Sequence, residues 1–216
     1  MGQINSLNNI AHDKILKKII YLEYEPGTLL NEKTVANELK MSITPVREAF
    51  HKLAEEKLVT IYPRRGIIVA PIEFSKIIEM FEIRLALEIF TGQVVTQRIV
   101  ESQIKDLEET LQKMLQISQD NPSTEDYANF LELEKRLHFI IYEATNNKEL
   151  VEIQKKYFNF PYRLLWLYRE ESILMDSICN EFKAIIEALK RKEPNKTKEM
   201  LESHVRNGFK FIKKRF

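Results

Sequence analysis

The ten residues Met41-Ser42-Ile43-Thr44-Pro45-Val46-Arg47-Glu48-Ala49-Phe50 constrain this chain more than any other segment. Thr44 is a side-chain cap and Pro45 has its φ preset for a first helical position, so the sequence predicts a helix beginning there. Its amide donors and the positive end of its dipole would be exposed. Val46, Ala49, Phe50 and Leu53 follow i, i+3, i+4, i+7 spacing and form one buried face, which turns Ser42, Thr44, Arg47 and His51 outward. Hydroxyls and an arginine at an exposed helix start suit contacts to phosphates and base edges.

The flanking sequence extends this pattern. Asn31 is placed to cap a helix from Glu32 to Leu39 with Val35, Ala36 and Leu39 as its core stripe, and a short turn separates it from Thr44. Two helices so joined make a helix-turn-helix. Downstream, Leu58-Val59-Thr60-Ile61 and Ile67-Ile68-Val69 are β-branched runs joined by Tyr62-Pro63-Arg64-Arg65-Gly66, a hairpin with two arginines at its tip. The order helix, helix, hairpin is that of a winged helix-turn-helix.

The run from Pro26-Gly27 through Leu30, Glu32, Val35-Ala36, Ser42 to Ala49, Leu53, Leu58-Val59, Pro63 and Arg65-Gly66 resembles the DNA-binding domain of GntR-type bacterial transcription regulators. By position, the resemblance implies DNA contacts from Lys33, Ser42, Thr44, Arg47, Arg65 and Gly66. Two positions depart from the family pattern. Ile43 stands where many members carry a base-reading arginine, and it offers an apolar contact to a thymine methyl in place of a hydrogen bond to guanine. Lys40 replaces the glycine usual at the turn, where a left-handed cap is eased by the absence of a Cβ.

After Pro71 the strand signal ends. Helical segments are predicted at Ser75 to Val100, Ser102 to Gln119, Thr124 to Thr145, Lys148 to Asn159, Tyr162 to Glu170, Ile173 to Lys192 and Thr197 to Lys213. Asp120-Asn121-Pro122-Ser123, Asn146-Asn147 and Glu193-Pro194-Asn195 are the clearest breaks, and Pro161 is expected to kink or split a helix. The expected fold class is mainly α: a winged helix-turn-helix in residues 1–72 and an all-α antiparallel bundle in residues 74–216.

This second half is similar to the ligand-sensing helical domain (FCD-like) of the FadR-type branch of the same regulators. Arg84-Leu85-Ala86-Leu87-Glu88, Leu137-His138 with Ala144-Thr145-Asn146-Asn147, and Glu181-Phe182 with His204 carry the similarity. Many members hold a divalent metal beside the effector pocket with an aspartate and three histidines. Position by position, the resemblance implies Glu134 for the aspartate, His138 and His204 for two histidines, and Phe182 in place of the remaining one. Glu134 and His138 lie i, i+4 on one helix face, so both can point at one ion. Two readings of Glu134, His138 and His204 stand: a site for a divalent metal such as zinc or nickel, or a buried hydrogen-bonded network without an ion. Arg84, with Glu134, His138 and His204, is assigned to the effector pocket, because a guanidinium grips a carboxylate bidentately. Its other reading is a salt bridge to Glu88 one turn on. The aromatics around Tyr157-Phe158-Asn159-Phe160-Pro161-Tyr162, with Trp166 and Tyr168, are expected in the core or a dimer interface. Lys210, Lys213, Lys214 and Arg215 fit a solvated helix end.

With 44% hydrophobic and 30% charged residues in 216, the chain is long enough for one or two cores and is not disordered. Its net charge is +1, and residues 1–70 hold ten basic against eight acidic residues, so DNA affinity has to come from local placement of charge. A single cysteine, Cys179, excludes an intramolecular disulfide and fits a reducing compartment; with no signal peptide or apolar span, a cytoplasmic location is expected. A glycine-rich phosphate loop, a nucleophile elbow and a second acidic-histidine repeat are missing, so catalysis is not expected. The function expected is a homodimeric regulator, a repressor of a metabolic or transport operon, binding a palindromic double-stranded operator and sensing a small anionic metabolite, with no membrane partner. The alternatives are a helical metal-dependent enzyme or a protein-interaction module with a winged-helix domain.

Overall fold

The computed structural model describes residues 2–118, 122–169 and 173–215, and side chains there except those of residues 2–6, 160, 161, 173 and 174. These residues pack as two units, Met1–Ile77 with Asn159–Leu167, and Ile78–Phe158 with Tyr168–Phe216.

The first unit contains α1 (Gly2–Ile20), β1 (Leu29–Leu30), α2 (Glu32–Leu39), α3 (Ile43–Glu55), β2 (Val59–Tyr62) and β3 (Gly66–Val69). Asn31 caps α2 as expected, its side chain accepting from the backbone N–H of Lys33 at 2.9 Å and of Thr34 at 3.3 Å. Lys40 ends α2 with φ 54 and ψ 44, a left-handed cap without glycine, which costs about 1–2 kcal/mol. The start of α3 differs from the expectation: Ser42 is the N-cap and Ile43 and Thr44 are already helical. Pro45 therefore occupies the third helical position, where its missing N–H is still one that has no intrahelical acceptor. Val46, Ala49, Phe50 and Leu53 are buried, and Phe50 and Leu53 completely so.

The hairpin pairs Val59 with Val69 and Tyr62 with Gly66. A further strand, β1, completes a three-stranded antiparallel sheet in the order β1-β3-β2. Gly66 has φ +114, and a Cβ there would lie 2.9 Å from the carbonyl oxygen of Leu30, so the sheet closes only over a glycine. Helix α1 packs along α3. Its Ala11, Ile15 and Ile19 recur every four residues and are wholly buried.

The second unit is built from α4 (Phe74–Arg98, from Ile78 onward), α5 (Glu101–Ser118), α6 (Thr124–Ala144), the first part of α7 (Lys148–Leu167), α8 (Ile173–Lys190) and α9 (Pro194–Lys213). No strand occurs among its described residues. The break expected at Asp120-Asn121 lies at residues 119–121, outside the described ones, but Ser123 and Asp126 form a capping box that opens α6. On α6 the buried positions Tyr127, Phe130, Leu131, Glu134, Leu137, His138, Ile141 and Tyr142 make one stripe, so a carboxylate and an imidazole enter the core on apolar neighbours. Gly92 brings α4 against α9: a Cβ there would lie 2.5 Å from Lys198 Cα.

Helix α7 corrects one expectation. It was predicted as two helices divided at Pro161, yet the backbone stays helical from Lys148 to Leu167. A proline in a helix interior costs about 3 kcal/mol. Phe158, Tyr162, Leu164, Leu165 and Trp166 are all buried along this stretch, and at about 2 kcal/mol or more for each such side chain their burial outweighs that cost.

Candidate functional site

Two constellations emerge, one in each unit. In the first, Lys33, Ile43, Arg47, Arg64, Arg65 and Gly66 share the wall of an open groove of about 510 Å³ between α3 and the wing. Ser42 and Thr44 are exposed at the same helix start, though the groove wall does not include them. Of the residues expected to contact DNA, Lys33, Arg47, Arg65 and Gly66 thus share one groove, although they come from three elements. Ile43 projects its apolar side chain into solvent there, 39% exposed. Arg47 is held rather than free. Its Nε and Nη2 both donate to Oε2 of Glu32 at 2.9 Å, a partner not anticipated from the sequence.

In the second unit, α6 and α9 bring Glu134, His138 and His204 together, all buried, with one ligand atom of each within 4.8 Å of the others. His138 Nε2 lies 3.1 Å from His204 Nε2 and 3.5 Å from Glu134 Oε1. His204 Nε2 lies 3.6 Å from the same oxygen. Around them stand Arg84 and Glu88 from α4, Tyr142 from α6 and Glu181 from α8. Arg84 Nη2 approaches His138 Nε2 at 3.2 Å, its Nε is 3.8 Å from Glu88 Oε1, and its guanidinium lies over the Phe158 ring at 4.9 Å. The expected salt bridge to Glu88 is present, and the same guanidinium reaches His138. Phe158 is buried in the core as expected, and its ring meets His138 edge-on at 5.0 Å. Phe182 packs on both histidines, with ring centroids 5.1 Å from His138 and 5.0 Å from His204.

The imidazoles are oriented from behind. His204 Nδ1 donates to Glu181 Oε2 at 2.6 Å, and Asn207 Nδ2 donates to the other Glu181 oxygen at 2.8 Å. Tyr142 Oη donates to Glu88 Oε1 and lies 3.2 Å from His138 Nδ1. Burial alone would lower the His204 pKa, but Glu134 and Glu181 outweigh it and raise it to about 9. Burial opposes ionisation of Glu134 and Glu88 as well. For Glu134 the two histidines prevail, and for Glu88 His138, Arg84 and Tyr142 do, so both carboxyls are held below their ordinary range. Burial, then Glu88, pushes the Tyr142 hydroxyl well up. Arg84 Nη2 and His204 Nε2 thus both lie within hydrogen-bond distance of His138 Nε2.

That arrangement suits a metal ion. Donor atoms around a tetrahedral ion bound at about 2.0–2.2 Å lie roughly 3.3–3.6 Å apart. The trio spans 3.1, 3.5 and 3.6 Å. Each histidine directs Nε2 inward, and a carboxylate or phenol stands behind its Nδ1, the outer-shell pattern that orients histidine ligands. Tyr142 escaped sequence reasoning, and Glu88 and Glu181 were named there without their part in orienting the histidines. Glu88 one turn after Arg84 and Tyr142 one turn after His138 were the available signals, whereas Glu181 stood only in the family resemblance, beside Phe182. Among the described residues, no helix is long and apolar enough to cross a membrane.

Comparison with known proteins agrees with both halves. The family described as "Bacterial regulatory proteins, gntR family" matches residues 8–69, and the FCD domain matches residues 79–207. The gluconate operon transcriptional repressor of Bacillus subtilis (strain 168) is 39% identical over 90 residues, 42% of this chain and 37% of the repressor. The HTH-type transcriptional repressor RspR of Escherichia coli (strain K12) is 35% identical over 129 residues, 59% of this chain and 55% of RspR. The matched region thus spans less than two thirds of these relatives' length. Among solved structures, E. coli McbR/YncC has a TM-score of 0.84 at 20% identity, covering 97% of this chain and 98% of its own, a likeness of fold.

Proposed function

Because the chain belongs to the gntR family of bacterial regulatory proteins, with an FCD domain after its helix-turn-helix, we propose that it is an effector-responsive repressor. It binds a palindromic operator as a homodimer, and its helical unit senses a small anionic metabolite. The groove between the start of α3 and the wing carries this reading, because it gathers Lys33, Arg47, Arg64 and Arg65 beside an exposed helix N-terminus in a chain of net charge only +1. Lys33 and the wing arginines suit phosphate and minor-groove contacts, while Ser42, Thr44 and Arg47 face a major groove. One recognition helix reads few base pairs, so a two-fold pair is needed to specify a site.

In the helical unit, Glu134, His138 and His204 would hold a divalent metal such as zinc or nickel. Such an ion attracts anions and would help retain an effector carboxylate, with Arg84 as its second anchor. Glu181 and the pair Glu88–Tyr142 hold the histidines in orientation. A metal-free reading has its own support, because Arg84 Nη2 and His204 Nε2 already lie within hydrogen-bond distance of His138 Nε2 and close the network. In that case Arg84 alone carries the effector charge.

Two measurements test the proposal. Full-length protein incubated with fragmented DNA of its host should enrich a palindrome, and enrichment of none would overturn the operator reading. Elemental analysis of protein purified without a histidine tag should give about one ion per chain, with His138→Ala abolishing both the ion and the loss of melting temperature on chelation. An ion-free protein whose melting temperature ignores chelator would leave the metal-free network as the correct account.

A further inference from the structure

We propose that Glu32 is a positioning residue for sequence readout: it holds Arg47 so that the guanidinium presents its Nη1–Nη2 edge to a guanine. The inference rests on the reading of the groove as the DNA interface. Arg47 is more than half exposed on α3, yet Glu32 on α2 fixes it through two donors, Nε and Nη2, on the single oxygen Oε2 at 2.9 Å each. A guanidinium has five N–H groups in one plane. With the Nε side engaged, both Nη1 hydrogens and the second Nη2 hydrogen remain, and they form the end-on fork that matches O6 and N7 of guanine in the major groove.

The anchor is rigid. Glu32 is the first residue of α2, directly after Asn31, whose side chain caps that helix at the N–H groups of Lys33 and Thr34. A carboxylate at a helix N-terminus is also favoured by the dipole. Holding a long side chain in its binding geometry removes an ordering cost at the moment of binding. Glu32 has a second effect of opposite sign: its charge offsets that of Arg47 and repels phosphates, which weakens binding to DNA of any sequence. Ordering raises affinity for the correct site while charge lowers it for all sites. The combination widens the difference between them, which is what specificity is.

The test uses full-length protein, fluorescence anisotropy, the selected operator, an unrelated duplex, and operators with guanine replaced singly by 7-deazaguanine, which lacks N7. The parent should lose about fivefold or more in affinity at one symmetry-related pair of guanines. Glu32→Ala should bind the operator about fivefold or more weakly than the parent, bind the unrelated duplex at least as tightly, and be indifferent to 7-deazaguanine at that pair. Arg47→Ala should show the same indifference. Glu32→Gln, which keeps the shape, should move the same way by less, and it serves if the alanine variant does not fold. Operator binding by both Glu32 variants as tight as the parent's, with the 7-deazaguanine sensitivity intact, would overturn the inference. Failure of the parent to prefer any duplex would overturn the DNA reading beneath it, and the inference with it.

Discussion

Tyr142 supports the buried cluster through a single hydroxyl. It donates to Oε1 of Glu88, whose other oxygen is buried without a hydrogen-bond partner among the described residues. The remaining neighbours of Oε1, His138 Nδ1 at 3.5 Å and Arg84 Nε at 3.8 Å, are too distant to replace that bond. Tyr142→Phe should therefore destabilise the protein by about 1–3 kcal/mol in urea unfolding, since it leaves a buried charge undersatisfied. A loss under about 0.5 kcal/mol would mean Glu88 is satisfied some other way. At this scale Glu134 and His138 were legible because their partnership is local, four residues apart on one helix. Glu181 was named only through the family resemblance, and its place behind His204 was not legible, since that partner sits on the next helix.

The elements show where local signals compete. Helix α1 and strand β1 were not read: α1 has apolar residues every four positions rather than a strong caps-and-breaks signature, and a two-residue strand is invisible without its partner β3. Thr44 and Ser42 are both good cap residues, and the helix starts after the earlier one, whose side chain makes no capping hydrogen bond. At Pro161 the proline signal lost to the burial of an aromatic face. Gly92 gives an element-scale prediction. An alanine in a helix interior normally stabilises by about 0.5–1 kcal/mol over glycine, but here its Cβ would meet the Lys198 backbone at 2.5 Å. Backbone cannot swing aside as a side chain can, so Gly92→Ala should instead destabilise by about 1–3 kcal/mol in the same unfolding measurement. A stabilised variant would refute the close approach of α4 to α9. The link between α2 and the loop after α1 predicts a pH dependence. Tyr24 Oη donates to Glu38 at 2.6 Å and Lys18 lies 2.9 Å from it. The Tyr24 hydrogen bond, then Lys18, lowers the Glu38 pKa from 4.5. A depressed folded pKa contributes stability above the ordinary value that is lost as pH falls through the folded one. The stability gap between parent and Glu38→Gln should thus be present at pH 7 and shrink below pH 4.5; a gap constant down to pH 3 would exclude the pairing.

On the scale of the whole molecule, the change of pattern after Pro71 made two functional halves legible, while the near-neutral charge hid the DNA-binding one. Ten basic residues against eight acidic in the first 70 give no footprint by count; three elements bring four of them, Lys33, Arg47, Arg64 and Arg65, to one groove. A palindrome reader must also be two-fold, so sedimentation of the full chain at micromolar concentration should give a dimer, and a monomer there would count against operator binding as proposed. As proposed, this groove reads DNA sequence. That reading is tested most directly by the affinity of the full chain and of Arg47→Ala for the selected operator and for an unrelated duplex, measured across a salt series. Arg47→Ala should cost about 1–3 kcal/mol on the operator and less on unrelated DNA, with the wing variants Arg64→Ala and Arg65→Ala each flattening the salt slope by about one unit. Equal affinity of Arg47→Ala and parent for the operator, with unchanged slopes in both wing variants, would contradict it.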